Sequence, residues 1–239
     1  MVDDATRTVR TAESADTETH GGRGYWPAEP LTVGPARVLT TERPSGHNVG
    51  VSAKITYGSS IPGESELRLC GGISGAKRTV ELGVSEWFNS VEFALAGAKS
   101  IAVDPDPTRI AELRRRADAS EVTVQCLEGD MADLGAISST TCSVVVAAQT
   151  MIDVEDLGRL LRQVHRILIP SMPFIISVPH PFAGVTDAKP YGTTGRTVGD
   201  WFTALGRSNF RVDQVRELGV DPTHSVPTTL VLRALKEGS

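Results

Sequence analysis

The chain has 239 residues, 40% of them hydrophobic, and a formal net charge of −5 at neutral pH. This length and apolar content predict one domain with a proper core, and the acidic balance gives no electrostatic reason to expect nucleic acid as a partner. Three cysteines without a CxxC pair argue against a disulfide framework and favour a reducing cytoplasm.

We also expect no membrane partner. No apolar run approaches the roughly 18 residues of a membrane span, and the first residues, MVDDATRTVR, lack the apolar region of a secretory signal. The spacing of His and Cys residues predicts no metal site. The sequence contains no signal for an oligomeric state.

The first 60 residues differ in composition from those that follow. Residues 1–24 are rich in Thr, Asp, Glu and Gly without a hydrophobic period, which predicts a disordered tail. Residues 25–60 hold scattered prolines and little periodicity, which predicts an irregular N-terminal extension or lid. Residues 61–239 are expected to form the main domain, beginning with a short helix over residues 64–69.

From residue 78 onward the pattern predicts alternating strands and helices. The strands are predicted over residues 78–82, 100–103, 122–127, 143–148 and 174–178. The helices are predicted over residues 87–96, 107–119 and 153–168, with a last one through Trp201, Phe202 and Leu205. Asp106 with Pro107, and Thr197 with Asp200, supply the helix-start signals. Such alternation predicts a parallel sheet with helices on both faces.

The end of the chain has a different pattern. Two further strands are predicted over residues 210–215 and 228–235. The segment between them contains glycine and prolines and shows no helical periodicity. We therefore expect an antiparallel hairpin at the end of the sheet.

Residues 78–106 contain the most informative pattern. An apolar run reaches Gly83, a helix-length segment ends at Gly97, and a second apolar run ends on Asp104. This is a βαβ unit with a carboxylate at the tip of its second strand. Such units bind nucleoside-bearing cofactors, because the turn offers backbone N–H groups and the acid accepts hydrogen bonds from ribose hydroxyls.

With these motifs, residues 57–236 resemble the class I S-adenosylmethionine-dependent methyltransferase family. Val80-Glu81-Leu82-Gly83 is similar to the start of the family's first motif, IAVDPDP to its second and Gly129-Asp130-Met131 to its third. The resemblance implies a Rossmann-like, doubly wound, mostly parallel seven-stranded sheet. It also implies methyl transfer from S-adenosylmethionine to a small-molecule acceptor.

The resemblance also implies roles for individual residues. Gly83 lets the backbone approach the methionine part of the cofactor, and Glu81 orients that loop or reaches the amino group. Asp104 accepts from both ribose hydroxyls, and Asp130 accepts from the adenine amino group. Gln149 lies beside the methyl-transfer path. The remaining residues expected to bind the cofactor are Ser85, Pro105, Met131 and Tyr57, which either folds over the mouth of the site or packs the N-terminal extension onto the domain.

Two departures from the family pattern leave alternatives open. Ser85 and Trp87 stand where further glycines are common, and the indole either blocks the pocket or stacks near it. A catalytically inactive binding or interaction protein is therefore the second hypothesis. A dinucleotide dehydrogenase is disfavoured, because the segment from Gly83 to Phe88 keeps only the first glycine of GxGxxG.

His180 is the candidate catalytic residue. It follows the fifth predicted strand, so it belongs to the sheet edge where ligands bind in open α/β folds. A histidine there can act as a general base on an acceptor hydroxyl or amine. The flanking prolines equally suit a rigid loop in which the ring bonds only to the backbone.

Overall fold

The computed structural model describes residues 54–193, 195–220 and 226–238. The disordered tail expected over residues 1–24, and most of the extension expected over residues 25–60, lie outside these ranges. Within them, seven strands form one sheet and five α-helices accompany it. The strands are β1 (Arg78–Leu82), β2 (Lys99–Asp104), β3 (Val124–Glu128), β4 (Val144–Ala148), β5 (Pro173–Pro179), β6 (Phe210–Val220) and β7 (Pro227–Lys236). The helices are α1 (Glu64–Leu67), α2 (Asn89–Leu95), α3 (Pro107–Ala119), α4 (Leu157–Ile167) and α5 (Val198–Arg207).

The strand order is β3-β2-β1-β4-β5-β7-β6. Strands β1 to β5 pair in parallel, whereas β7 pairs antiparallel with both β5 and β6. The predicted fold class, including the closing antiparallel hairpin, is therefore confirmed. The order reverses between β1 and β4, and in open α/β sheets ligands bind at the carboxyl ends of the strands beside such a reversal.

The centre of the sheet is buried on both faces. All five residues of β4 have no exposed surface, and alternate side chains point to opposite faces. Val145 packs in the cluster that contains Leu160 and Leu161 of α4, while Val146 packs in the cluster that contains Phe93 of α2. Burial of each such side chain contributes about 1.5–3 kcal/mol to the stability of the fold. β4 therefore gives the cleft residues that follow it a fixed position.

Side-chain caps explain where α3, α4 and α5 begin. The Asp106 side chain accepts from the Thr108 N–H before α3, and Thr197 and Asp200 form a complete capping box at α5. The fourth helix begins at residue 157 rather than at the predicted residue 153, because Asp156 is its N-cap and accepts from the Arg159 N–H. The first helix ends early because Arg68 adopts a left-handed conformation with φ of 51°.

The last strands differ from their predicted lengths. β6 continues to Val220, through residues that the glycine and proline content assigned to a loop. Cross-strand pairing explains the difference, since Leu218 and Val220 of β6 have partners on β7. Of the two adjacent aromatic residues on α5, Trp201 is buried and Phe202 is exposed, as a helix with one apolar face requires.

Candidate functional site

An open cleft of about 1100 Å³ lies at the carboxyl ends of the central strands. Its walls include the residues that end or follow β1, β2, β3 and β4, among them Gly83, Asp104, Asp130 and Gln149. Pro105, Met131 and Ser85 also line it. Because these residues surround the reversal of strand order, this cleft is the site at which a ligand is expected.

Gly83 allows the chain to turn at the end of β1. Its φ is +75°, and a Cβ placed on it would lie 2.4 Å from Cβ of Thr150. Thr150 is held there because its hydroxyl donates to the carbonyl of Leu82 across 2.6 Å. A side chain at this position is excluded both by conformation and by close approach.

Asp104 lies at the tip of β2 and is 5% exposed. Its Oδ2 accepts from the Val84 N–H at 2.6 Å, and its Oδ1 accepts from the Asp106 N–H at 2.8 Å. Each carboxylate oxygen has capacity for a further hydrogen bond. The carboxylate therefore holds the turn after β1 and retains acceptor capacity on the wall of the cleft.

Glu81 is fully buried inside β1, and its carboxylate accepts from five donors. Oε1 accepts from the N–H and hydroxyl of Ser85 and from the N–H of Asn89, at 2.7–3.1 Å. Oε2 accepts from the N–H and hydroxyl of Ser90 at 2.7 and 2.6 Å. The N-cap of α2, Phe88, makes no side-chain cap, so Glu81 caps this helix from the neighbouring strand. Glu81 does not line the cleft.

The environment of Glu81 perturbs its ionisation. Burial raises the pKa of its carboxyl above the ordinary value of 4.5, and the hydrogen bonds from Ser90 and Ser85 offset part of the rise. Of the two roles predicted for Glu81, orientation of the loop agrees with these contacts. Direct contact with a cofactor amino group would require a carboxylate that faces the cleft.

Asp130, after β3, and Gln149, after β4, both line the cleft. Asp130 is exposed, its Oδ1 accepts from the Ala132 N–H at 2.8 Å, and its Oδ2 lies 3.7 Å from a guanidinium nitrogen of Arg159. Gln149 donates from Nε2 to Ser177 Oγ at 2.7 Å and to the Tyr57 carbonyl at 3.3 Å. Because Nε2 is committed to these two acceptors, the amide orientation of Gln149 is fixed.

Tyr57 does not cover the mouth of the cleft, which corrects the first of its two predicted positions. Its side chain is fully buried, and its hydroxyl donates to Glu64 Oε2 at 2.6 Å and lies 3.2 Å from the Cys70 sulfur. Glu64 in turn accepts from the backbone N–H groups of Leu69 and Cys70. A buried phenol requires such a partner, and Glu64 draws the ring into the core.

Trp87 leaves the cleft open. Its indole is half-buried and packs against the hydrophobic cluster that contains Ile55, Tyr57 and Phe93. The same residue forms part of the cleft wall. Of the two alternatives for this side chain, stacking beside the pocket describes the observed position, because the surrounding apolar cluster offers the indole more contact than the open cleft does.

His180 lies beside the cleft rather than in it. The residue is buried and lines an adjoining side pocket of about 260 Å³. Nδ1 accepts from the Phe182 N–H at 3.2 Å, so Nε2 carries the proton and donates to Glu217 Oε1 at 3.0 Å. With both nitrogens engaged, the ring has no free lone pair. The catalytic role of His180 stays a prediction, and this geometry does not favour it.

Several cleft residues were not identified from the sequence. Arg109 donates to the Val84 carbonyl at 2.7 Å and braces the turn after β1. Asp153 lines both the cleft and the side pocket. The position of Arg109 on the first turns of α3 indicates proximity to the cleft. Asp153 follows β4 by five residues in a loop without a motif, so the sequence contains no signal for it.

The described residues contain neither a candidate metal-ion site nor a candidate membrane span. Across residues 54–193, 195–220 and 226–238, no group of three or more His, Cys, Asp or Glu side chains is arranged to hold a metal ion. In the same part of the chain, none of the helices combines the length and the apolar character that crossing a membrane requires.

Residues 80–176, from β1 to β5, match the family model described as a methyltransferase domain. Together with the fold, this match is consistent with the class I S-adenosylmethionine-dependent methyltransferase family. No curated protein sequence matches it at a significant level. The family assignment agrees with the strand order and with the cleft at its reversal.

Solved methyltransferase structures share the fold. One from Mesorhizobium loti is 22% identical, with a TM-score of 0.56 over 68% of this chain and 92% of that chain. One from Aquifex aeolicus is 14% identical, with a TM-score of 0.57 over 70% of this chain and 85% of that chain. A third structure is geranyl diphosphate C-methyltransferase from Streptomyces coelicolor A3(2), solved with Mg²⁺, geranyl diphosphate and S-adenosyl-L-homocysteine. It is 11% identical, with a TM-score of 0.60 over 73% of this chain and 79% of that chain.

The residues of this methyltransferase fit the cofactor of the family. The cleft, at about 1100 Å³, is large enough for a nucleoside-sized ligand, since ligand sites measure roughly 300–1,000 Å³. Acidic residues outnumber the two arginines on the cleft walls, which suits the positive charge of a sulfonium. The acidic lining consists of Glu86, Asp104, Asp106, Asp130, Asp153, Glu155 and Asp156, and the basic lining of Arg109 and Arg159.

Proposed function

We propose that this methyltransferase binds S-adenosylmethionine in the cleft and methylates a small-molecule acceptor. One observation carries the proposal: the open turn at Gly83 and the carboxylate of Asp104 meet on the same wall of the cleft. Asp104 holds that turn through the Val84 N–H. The two motifs that imply the cofactor in the sequence are thus physically linked.

We assign the residues of the cleft as follows. Asp104 accepts from the ribose hydroxyls, and the Gly83 turn adjoins the methionine part. Asp130 and its neighbour Met131 face the adenine. Pro105 lies between the ribose and the adenine. Gln149 and Ser85 line the part of the wall next to the transferred group. Glu81 acts by holding Ser85 and the start of α2 in place.

The reaction requires little acid or base chemistry from the protein. When bound, S-adenosylmethionine supplies a methyl carbon that its sulfonium already activates. The protein holds the acceptor in line with that carbon and excludes water, and orientation of this kind can contribute about 7–11 kcal/mol. Asp104 and the turn that it holds provide the fixed reference for this alignment.

No observation favours the inactive binding protein as a second function. The departure that motivated it was Trp87, and the indole packs against the core while the cleft retains about 1100 Å³. Ser85, the other departure, is turned inward and donates its hydroxyl to Glu81. Neither side chain fills the space in which the cofactor is proposed.

Calorimetric titration with S-adenosylmethionine and with S-adenosylhomocysteine tests the proposal. We expect both to bind with one site per chain, and a Gly83→Trp variant that fills the turn to bind neither. Far-ultraviolet circular dichroism of the variant establishes that it is folded. Absence of affinity for both ligands in the folded wild-type protein would contradict the proposed function.

A further inference from the structure

A short segment beside the cleft, residues 55–59, contains no helix or strand, and we call it the strap. Ile55 and Tyr57 bury their side chains in the core. Gly58 and Ser59, which follow them, line the cleft. Because the strap has no ladder of its own, its buried backbone groups need partners on other elements. The position of this part of the cleft wall therefore depends on the side chains that supply those partners.

Asn89 holds the strap by both backbone groups of one residue. The Thr56 N–H donates to Asn89 Oδ1 at 3.0 Å, and Asn89 Nδ2 donates to the Thr56 carbonyl at 2.9 Å. Because an N–H only donates and a carbonyl only accepts, the Asn89 amide fits in one orientation. The next carbonyl along the strap, that of Tyr57, accepts from Gln149 and Ser177. Two successive residues of the strap are thus fixed from outside it.

Asn89 is joined on its other side to the turn after β1. Its backbone N–H donates to Glu81 Oε1 at 3.1 Å. The same oxygen accepts from the N–H and the hydroxyl of Ser85, which lines the cleft. Hydrogen bonds therefore run from Ser85 through Glu81 and Asn89 to Thr56. They connect two segments of the chain that both contribute to the cleft wall.

The helix that begins at Asn89 gives no reason for an asparagine there. Asparagine has a low helix propensity, and its side chain does not cap α2, whose N-cap Phe88 lacks a side-chain cap. Both polar atoms of the Asn89 side chain bond to the strap instead. The residue is fully buried, and a buried amide without such partners is destabilising. The strap therefore explains this residue type.

We propose, on the basis of the function proposed above, that Asn89 is a positioning residue that keeps the strap in register with the turn after β1. Asn89 does not line the cleft, so it acts through Thr56 and Glu81. A cofactor in the cleft meets a wall built from both segments, and its affinity depends on their relative position. By linkage, binding of the cofactor stabilises the strap.

Calorimetric titration with S-adenosylhomocysteine tests the proposal. We expect Asn89→Ala to weaken binding at least about tenfold, a typical size for coupling between two segments. Asn89→Ser, measured in parallel, should change affinity in the same direction. Val91→Ala is the matched control, because Val91 is a buried residue of α2 that packs in a different cluster from the strap and does not line the cleft. It should keep wild-type affinity within about twofold. Wild-type affinity in folded Asn89→Ala or Asn89→Ser would overturn the proposal.

Limited digestion with trypsin measures the strap directly. Lys54 is exposed and precedes the strap, and mass spectrometry follows the fragment that begins at Ile55. S-adenosylhomocysteine should slow its release at least about fivefold in the wild type and in Val91→Ala, but not in Asn89→Ala. A merely structural asparagine would speed release by the same factor with and without ligand.

The possible failures are distinguishable. Release in the wild type that does not respond to bound S-adenosylhomocysteine would overturn the role of Asn89 and leave the cofactor site intact. Failure of the folded wild-type protein to bind S-adenosylhomocysteine would instead contradict the proposed function.

Discussion

The carboxylate of Asp104 and the backbone N–H of Val84 form a 2.6 Å hydrogen bond that joins the tip of β2 to the turn after β1. The other oxygen of Asp104 accepts from the Asp106 N–H, next to the start of α3. The side chain proposed to hold the ribose therefore also connects three structural elements. Cofactor affinity and local order of the cleft are expected to change together when it is altered.

The first prediction concerns this carboxylate. Asp104→Ala should weaken binding of S-adenosylmethionine by about 1–3 kcal/mol, the range expected when a partner of charged hydrogen bonds is removed. Calorimetric titration measures the change. Asp118→Asn, an exposed position on the same α3 helix that follows Asp104, removes one charge outside the cleft and should leave affinity unchanged. An unaltered affinity in Asp104→Ala would show that the ribose is not held there.

The second prediction separates two costs of replacing glycine. Gly83 and Gly97 both have positive φ, +75° and +86°, but an added Cβ meets Thr150 at Gly83 and open space at Gly97. Gly97→Ala should therefore cost only the conformational strain, about 1–2 kcal/mol. Gly83→Ala should cost more and should also weaken cofactor binding. Urea unfolding and calorimetry measure both, and equal costs would contradict the close contact with Thr150.

The third prediction concerns the cap of α2. Glu81→Gln places an amide donor among five donors, so it should lower the free energy of unfolding by about 1–3 kcal/mol. Glu86→Gln, an exposed carboxylate five residues later, serves as the matched control and should change stability by less than about 0.5 kcal/mol. Chemical denaturation at neutral pH compares the two. Equal stabilities would show that the observed bonds to Glu81 contribute little.

The ionisation of Glu81 gives a fourth prediction. Its pKa in the folded state is raised by burial above the ordinary value of 4.5, so between those two values the folded protein binds more protons than the unfolded chain. The contribution of Glu81 to stability is therefore complete below pH 4.5 and declines as pH rises through the raised value. The Glu81→Gln variant should lack this decline when unfolding is followed across the acidic range. Parallel pH profiles would exclude the raised pKa.

The fifth prediction concerns the thiols. Burial raises the pKa of Cys70, Cys126 and Cys142, but only Cys126 is partly exposed, because it lies on the edge strand β3. A thiol reagent should therefore modify Cys126 in the folded protein and reach the other two only on unfolding. Cys126→Ser should abolish the fast reaction. Labelling of Cys70 at a comparable rate would contradict its buried contact with Tyr57.

Local signals in the sequence were sufficient to predict most of the fold. The apolar run that became β4, the Asp106–Pro107 start of α3 and the Thr197 capping box each depend on residues close in the chain. The extension of β6 to Val220 was missed because cross-strand partners on β7 override the low strand preference of Gly219. Pairing between distant segments leaves no comparable local pattern.

The site was predictable where it follows a strand and less so where it depends on tertiary contacts. Gly83 and Asp104, which line the cleft, could be predicted as neighbours because the ends of parallel strands converge. The sequence could not decide between the two predicted positions of Tyr57, because its burial depends on the hydrogen bond to Glu64, seven residues away. Asp153 was missed because the sequence does not distinguish an acidic loop residue that lines a cleft from one that faces only solvent.

The position of β7 has a consequence for synthesis of the protein. β7 lies between β5 and β6 although it follows β6 in the chain. As the nascent polypeptide leaves the ribosome, β6 emerges before the strand that joins it to the sheet, and the edge of β5 stays open until then. A message truncated before codon 227 would release a molecule with an unpaired edge, a known template for aggregation.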